Sequence, residues 1–221
     1  MKIYKIMAFA SFFVALGFFN QVKAQRSDTT YVKTIKERAA KIVLKLEIKK
    51  SKKIREVSDL VANQYLDLND VFMARDLKIK EVKSTANLTS EIKNKQLDSI
   101  KSWTTAETNK LHIAYMKKLN KKLNPEQVIA VKDGMTYGVV PLTYNAYQQM
   151  LPNLTAQQKK QIYAWLIEAR ELAMDAESSE KKHAWFGKYK GRINNYLSAA
   201  GIDLNKAGND WADRIKAEKT Q

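Results

Sequence analysis

The chain has 221 residues and no cysteine, so disulfide bonds, zinc–thiolate sites and thiol nucleophiles are excluded. It carries 39 lysine and arginine residues against 23 aspartate and glutamate residues, and the resulting net charge of +16 favours anionic partners. Three prolines and seven glycines leave few turn signals, so the composition favours a few long helices over many short strands.

The first 24 residues have the layout of a secretory signal peptide. Lys2 and Lys5 precede an apolar run over residues 6–19, and a short polar segment ends at Ala24. The apolar run is shorter than the roughly 20 residues that a transmembrane helix needs. We therefore expect cleavage after Ala24, which would leave residues 25–221 as a single exported domain, periplasmic or extracellular, without a membrane span.

The positive charge lies mainly in the first half of the predicted mature chain. Residues 25–122 carry a net charge of +11, whereas the aromatic-rich residues 123–221 carry +2. Without the lysines of the signal peptide the whole protein has a net charge of +13. A lysine-rich solvated surface is the simplest interpretation, with acidic polysaccharide, lipopolysaccharide or a membrane surface as alternatives. Export argues against nucleic acid, so no nucleic-acid partner is expected.

Apolar residues spaced three or four apart predict an all-α helical bundle of about seven helices. The first two helices are predicted over 28–49 and 51–82, separated by a lysine-rich linker at residues 49–53. The apolar stripe of the second helix begins at Ile54. Arg75 falls on the apolar stripe of the second helix. We expect it to form a buried ion pair with Asp70, Asp76 or a more distant acid.

A third helix is predicted from a cap at Thr89 to about Leu123. Its weak helix formers over 102–109 allow a break or bend. Asn124 followed by Pro125 indicates the start of a short fourth helix, because proline is favoured in the first helical position.

Residues 135–142 are the only stretch with extended character, and we predict an ordered loop that contains Pro141. Helix resumes over 143–151, and the capping-box pattern from Thr155 to Gln158 opens the following helix. Two further helices are predicted from about 178 to a glycine cap at 201 and from about 205 onward.

The densest chemistry lies in residues 181–196, which hold four aromatic residues, five cations, two amides and two glycines. Sugars bind to such surfaces, because their C–H groups lie against aromatic rings while their hydroxyls pair with polar side chains. Trp185, Tyr189 and Ile193 also have ordinary core spacing, so both a core and a ligand-binding interpretation stay open.

The candidate ligand-binding residues come from three places: residues 181–196, the helix that precedes them, and the tyrosines beside the Pro141 loop. They are Tyr137, Tyr144, Arg170, Asp175, His183, Trp185, Tyr189, Lys190, Arg192, Asn194 and Asn195. Neither His112 nor His183 lies in a metal-binding spacing, and no serine is placed as a nucleophile. We therefore predict no catalytic residue, no metal site and no cofactor.

Several long stretches resemble one family of exported Gram-negative bacterial proteins, known as domain of unknown function 3826, for which sugar binding has been suggested. The stretches are Leu123–Val128, Val131–Pro141, Met150–Thr155, Glu168–Asp175 and Lys182–Tyr196. The resemblance implies an exported, non-catalytic, carbohydrate-associated protein with an oligosaccharide or polysaccharide partner, acidic ones included. It supplies no catalytic residues and no oligomeric state.

Two alternative functions stay open. Leu154–Gln158 matches the Leu-Thr-x-x-Gln motif of periplasmic ATP-independent chaperones, and Leu123–Gln127 matches it with asparagine in place of threonine. This second resemblance implies a chaperone or stress protein. A glycan-active enzyme would instead need a carboxylate pair, such as Glu171 with Asp175 or Asp67 with Asp70.

Overall fold

The structure is a computed structural model and describes residues 29–218. Within these residues it contains eight helices and no strand, which confirms the predicted all-α fold class. None of the helices described has an apolar stretch of the length that crossing a bilayer requires. The predicted signal peptide, residues 1–24, lies outside the described residues.

The helices are α1 (Thr29–Leu44), α2 (Ser51–Ser84), α3 (Ser90–Lys122), α4 (Pro125–Met135), α5 (Val139–Met150), α6 (Ala156–Met174), α7 (Ser179–Ala199) and α8 (Leu204–Glu218). The chain divides into two compact units between Val128 and Ile129, and α4 crosses this division. Compact units also occur within one domain, so the single-domain organisation stays a prediction.

In the first unit, α1 and α3 each pack against α2. α1 buries Ile35, Ala39, Ile42 and Val43, as their spacing predicts. The buried residues of α2 end at Leu68, and those of α3 begin at Tyr115. Within the described chain, none of the residues 69–114 is buried. We call this two-helix segment the distal hairpin.

α3 is continuous, so the break or bend allowed over 102–109 does not occur. The hydroxyls of Thr104 and Thr105 donate to the carbonyl oxygens of Ile100 and Lys101, at 2.8 and 3.1 Å. These hydroxyls therefore find acceptors one turn earlier in the same helix. Threonine is a weak helix former, but its side chain is satisfied here without ending the helix.

Arg75 forms an ion pair with Asp76, one of the acids that its position predicts as a partner. Its Nη2 lies 2.7 Å from Asp76 Oδ1, and its Nε donates to the same oxygen at 2.8 Å. Its guanidinium also lies 5.1 Å from the ring centroid of Phe72. The Arg75 side chain is 20% exposed rather than buried, because it lies in the distal hairpin, where no residue is fully covered.

Both stretches that match the chaperone motif begin helices. Thr155 Oγ1 accepts from the Gln158 backbone N–H at 3.2 Å, and the Gln158 side chain accepts from the Thr155 N–H at 2.9 Å. Asn124 and Gln127 make the same reciprocal pair at the start of α4. Capping therefore accounts for the motif, which gives no separate support for a chaperone function.

The prediction of an ordered loop over 135–142 is wrong in extent. α4 continues to Met135 and α5 starts at Val139, so the connection is a turn of residues 136–138. Pro141 lies in the first turn of α5. Proline is tolerated there because the first N–H groups of a helix have no acceptor within it.

In the second unit, α6 packs against α7, and α5 packs against α6 and α8. The core consists of Val140, Tyr147, Leu151, Leu154, Ile162, Leu166, Ala169, Ala173, Phe186, Ile193 and Leu197. On α7 the fully buried aromatic residue is Phe186, whereas Trp185 and Tyr189 lie at the edge of this core and Ala200 is exposed. Of Trp185, Tyr189 and Ile193, which share core spacing, only Ile193 is therefore fully buried.

Candidate functional site

All eleven candidate residues lie in the second unit, and their contacts divide them among several partners. One group surrounds the turn between α4 and α5. Another lies on the surface that α6 and α7 share. The remaining residues either link helices or lie on the surface beside these two groups.

The turn of residues 136–138 places two consecutive residues in the left-handed region, Tyr137 at φ 61° and Gly138 at φ 67°. This backbone suits glycine but strains a bulky residue such as tyrosine. Several hydrogen bonds hold the turn: Gly138 N–H donates to Asp133 O at 2.8 Å, and Thr136 Oγ1 donates to Lys132 O at 2.8 Å. The backbone of Tyr137 is therefore fixed by contacts of its neighbours.

The Tyr137 side chain is 43% exposed and stacks on His183, with ring centroids 5.4 Å apart and planes 11° apart. His183 lies in the first turns of α7 and is itself exposed. The structure thus brings together two candidates that are distant in sequence. Their paired rings form a small aromatic surface in contact with solvent.

Arg170 lies in the interior, with only 4% of its side chain exposed. Its Nη1 donates to Asp133 Oδ1 at 2.9 Å, and its Nη2 approaches Glu171 Oε1 at 3.4 Å. Lys132 Nζ donates to the other oxygen of Glu171 at 2.7 Å. This network ties α4 to α6, and it reaches the strained turn because the Asp133 carbonyl accepts the Gly138 N–H.

Lys182 is buried at the start of α7, where sequence reasoning assigned it no role. Its Nζ donates to the carbonyl oxygens of Ala173 and Met174, at 3.0 and 2.9 Å. These carbonyls lie in the last turn of α6, where carbonyl oxygens lack N–H donors from a following turn of helix, and a cation is favoured at this negative end. The Ala173 carbonyl also accepts from the Ala176 N–H at 3.2 Å. The candidate Asp175 is the C-cap of the same helix and is half-buried. The available sequence signal was that Lys182 precedes the core residue Phe186 by four positions.

The second group is a set of contacting side chains that we call the α6–α7 cluster: Trp165, Glu168, Tyr189, Arg192 and Tyr196. The Arg192 guanidinium lies over the Trp165 ring, 4.6 Å from its centroid. Arg192 Nη1 lies 3.6 Å from Glu168 Oε2, and Tyr189 lies near enough to the Glu168 carboxylate for that group to raise the pKa of its phenol. The Tyr196 ring meets Trp165 edge-on at 5.3 Å.

Burial raises the pKa of Tyr189, and the neighbouring Glu168 carboxylate raises it further. Tyr189 therefore stays a neutral donor at neutral pH. The side chains of Arg192 and Glu168 are 57% and 53% exposed. Their separation of 3.6 Å exceeds the roughly 2.7–2.9 Å of a strong charge-assisted hydrogen bond. Both groups are consequently accessible to a ligand.

Sequence reasoning selected Tyr189 and Arg192 but not Trp165 and Glu168. The spacing of three between them puts both on one side of α6. That spacing was the signal available in the sequence. It indicates a site only when α7 is known to pack beside α6.

Asn194 links α5 to α7, because its Oδ1 accepts from the Tyr147 hydroxyl at 2.6 Å. Tyr147 is 6% exposed, and this burial raises its pKa from 10.0 to about 12. The hydroxyl is thus kept protonated by its buried position. Asn194 serves at least as a structural acceptor on the face of α7 that α5 approaches.

The raised pKa of Tyr147 predicts a loss of stability at high pH. Between pH 10 and about 12 the unfolded chain loses the Tyr147 proton while the folded chain retains it. The contribution of Tyr147 to the free energy of unfolding should therefore be fully present below pH 10. The free energy of unfolding should fall by roughly 2 kcal/mol as the pH rises from 10 to about 12. Denaturant unfolding measured across this range would show the fall, and Tyr147→Phe should reduce it. An equal alkaline loss in wild type and Tyr147→Phe would contradict the assignment.

The remaining candidates lie at or near the surface. The Tyr144 ring meets Tyr163 edge-on at 5.1 Å. Trp185 is half-buried, with Lys188 Nζ 5.3 Å from its ring centroid. Lys190 and Asn195 are exposed. Across residues 29–218 no group of three or more histidine, aspartate or glutamate side chains is arranged to hold a metal ion.

Residues 32–217 match one protein family model, which is described as "Protein of unknown function (DUF3826)". The match includes the strained turn, the Arg170 network and the α6–α7 cluster. No curated protein matches the chain.

Proposed function

We propose a function from the surface of the second unit, because the chain belongs to the DUF3826 family, whose description names no activity. The protein is an exported, non-catalytic carbohydrate-binding protein. It takes oligosaccharides or polysaccharides, with acidic ones preferred, and binds them at the α6–α7 cluster.

One observation carries this proposal: an exposed guanidinium and an exposed carboxylate lie against half-buried aromatic rings. Arg192 and Glu168 supply charged hydrogen-bonding groups, Tyr189 supplies a hydroxyl, and Trp165 supplies an apolar surface. A saccharide needs these same components, because its ring has an apolar C–H face and a rim of hydroxyls. The cluster holds them within contact distance of one another.

The preference for acidic sugars follows from Arg192. A guanidinium can bind a carboxylate with two parallel hydrogen bonds, whereas its present partner Glu168 lies at 3.6 Å. A uronic-acid carboxylate can therefore replace Glu168 at little cost. Lys190 and Asn195 are exposed on the same helix.

The direct test is calorimetric titration with neutral and acidic oligosaccharides. Arg192→Ala should weaken the binding of an acidic oligosaccharide by about tenfold or more, because a hydrogen bond to a charged group is lost. Helicity measured by circular dichroism should not change. The matched control is Lys160→Ala, which removes an exposed cation from α6 outside the cluster and should bind like wild type.

A second variant separates acidic from neutral ligands. Glu168→Gln removes the carboxylate that competes for Arg192, so affinity for an acidic oligosaccharide should rise while affinity for a neutral one should not. If neither class binds to the wild-type protein, the proposal is wrong. If Arg192→Ala and Lys160→Ala lose affinity equally, the binding is non-specific charge attraction and the cluster is not the site.

The geometry supports the alternative of a glycan-active enzyme less well than it supports a binding protein. In the pair Glu171 and Asp175, Glu171 is engaged by both Lys132 and Arg170. Ion pairing therefore accounts for this carboxylate without catalysis. We therefore keep the proposal to binding alone.

A further inference from the structure

The corner between α1 and α2, residues 41–56, combines high positive charge with exposed aliphatic side chains. It contains seven lysine and arginine residues against two glutamates. Leu44, at the end of α1, is 81% exposed, and Ile54, in the first turn of α2, is 36% exposed. Ile54 was predicted to begin the buried stripe of α2, so its exposure corrects that prediction.

The exposed aliphatic side chains line one groove. It has a volume of about 580 Å³, and its lining includes Leu44, Ile48 and Ile54, with Lys41 and Glu47 among the polar groups. An exposed leucine alone needs no explanation. Three branched aliphatic residues on one open groove form a local apolar surface at the helix corner.

Lysines surround a recess at the same end of α2. The recess has a volume of about 300 Å³ and is lined by Lys50, Lys52, Lys53, Lys122 and a single acid, Glu56. Lys122 Nζ lies 2.6 Å from Glu56 Oε2, and this hydrogen bond lowers the pKa of Glu56, so it stays ionised. Four lysines thus share the recess with one carboxylate. The recess and the groove both include the first turn of α2, because Lys53 lines the one and Ile54 lines the other.

Helix stability does not account for these lysines. α2 has no acidic residue in its first turn, and its N-cap, Lys50, makes no side-chain cap hydrogen bond. Positive charge is unfavourable at this end of a helix. By contrast, α3, α6 and α7 begin with Thr89, Thr155 and Ser178 as hydrogen-bonding caps. The lysines of the corner therefore lower helix stability, and a surface role explains them better.

We infer that the α1–α2 corner docks on a membrane surface that carries anionic phospholipid. The lysines contact the phosphate-bearing headgroups, while Leu44 and Ile54 reach the boundary of the acyl region. A lipid surface fits better than a polysaccharide, because residues 41–56 contain no aromatic ring against which a sugar could lie. The inference does not depend on the proposed function, since all of its residues lie in the first unit.

Vesicle co-sedimentation tests this inference. The protein is used in its predicted mature form, residues 25–221, which contains every residue the structure describes. It should bind vesicles of phosphatidylcholine mixed with phosphatidylglycerol and should not bind vesicles of phosphatidylcholine alone. The triple variant Lys49→Gln, Lys50→Gln, Lys52→Gln should lower the partition coefficient about a hundredfold, since each lysine contributes a comparable share of the attraction. Leu44→Ser should lower it roughly tenfold.

Matched controls lie on the distal hairpin of the same unit. Lys80→Gln, Lys83→Gln, Lys95→Gln removes three exposed lysines, and Ile113→Ser removes an isoleucine that is 60% exposed. Both controls should bind like wild type. Equal losses in the two triple variants would overturn the inference, because total charge would then explain binding. If Leu44→Ser has no effect while a soluble acidic polysaccharide displaces the protein from the vesicles, the partner is a polyanion and the inference is wrong.

Discussion

Replacing Arg170 with methionine is expected to lower the free energy of unfolding by about 3 kcal/mol. The substitution places an apolar side chain in the interior, where it can still pack, but it leaves Asp133 without its cationic partner on α6. It also removes one of the two cations that face Glu171, and Lys132 remains. Denaturant unfolding followed by circular dichroism, with wild type and variant at the same pH, measures the change.

Arg192→Met is the control, because it removes the same side chain from a position that is 57% exposed. Its cost should stay within about 0.5 kcal/mol, as for other exposed ion pairs. Both arginines were predicted from the sequence as ligand contacts. Together the two variants show which of them stabilises the fold. If Arg170→Met keeps wild-type stability and loses carbohydrate binding, Arg170 is a ligand contact and its structural role is refuted.

Replacing Lys182 with methionine should cost about 3 kcal/mol of folding stability, since two hydrogen bonds from a charged donor are lost in a buried setting. The carbonyls of Ala173 and Met174 would then lack this donor at the end of α6. The favourable interaction of the cation with the helix end would be lost as well. Thermal unfolding should show a midpoint several degrees lower.

The neighbouring lysine provides the comparison for Lys182. Lys181 is 61% exposed and pairs with Glu177 within one helical turn, so Lys181→Met should change stability little. The same chemical change is thereby made at adjacent positions that differ in burial. Equal midpoints for the two variants would contradict the proposed role of Lys182 as the donor that closes α6.

The helices could be predicted from the sequence because their signals are local. The buried residues of α1 and the caps at Thr89, Thr155 and Ser178 all follow from spacing and residue type within one helix. The predictions were wrong where one local sequence signal is compatible with two different structures. Pro141 indicates a loop or the first turn of a helix, and only the position of the preceding turn decides between them.

The site could be predicted only in part. The aromatic and basic segment of α7 was recognised from composition, but the partners of its residues lie on other helices. Arg192 meets Trp165 and Glu168, and Asn194 meets Tyr147, through packing that no spacing within α7 encodes. Residue type suggested which groups could bind a ligand. Packing determines which of them already serve the fold, as Arg170 does.

The corner of the first unit illustrates the opposite case. Its lysines were read as a linker between helices, and Ile54 was expected in the core. Burial depends on what lies beside the helix, and α1 ends at Leu44 before it can cover the first turn of α2. An apolar residue at the right spacing is therefore exposed where its neighbouring helix stops.

The distal hairpin has a consequence for how the length of this chain can change. Residues 69–114 contribute no fully buried side chain to the described structure, so the core residues of the first unit do not depend on how far α2 and α3 extend. Deleting or adding the same number of whole turns in both helices would keep their facing sides aligned. The hairpin is thus a region where insertions and deletions can accumulate in matched pairs while the rest of the fold is unaltered.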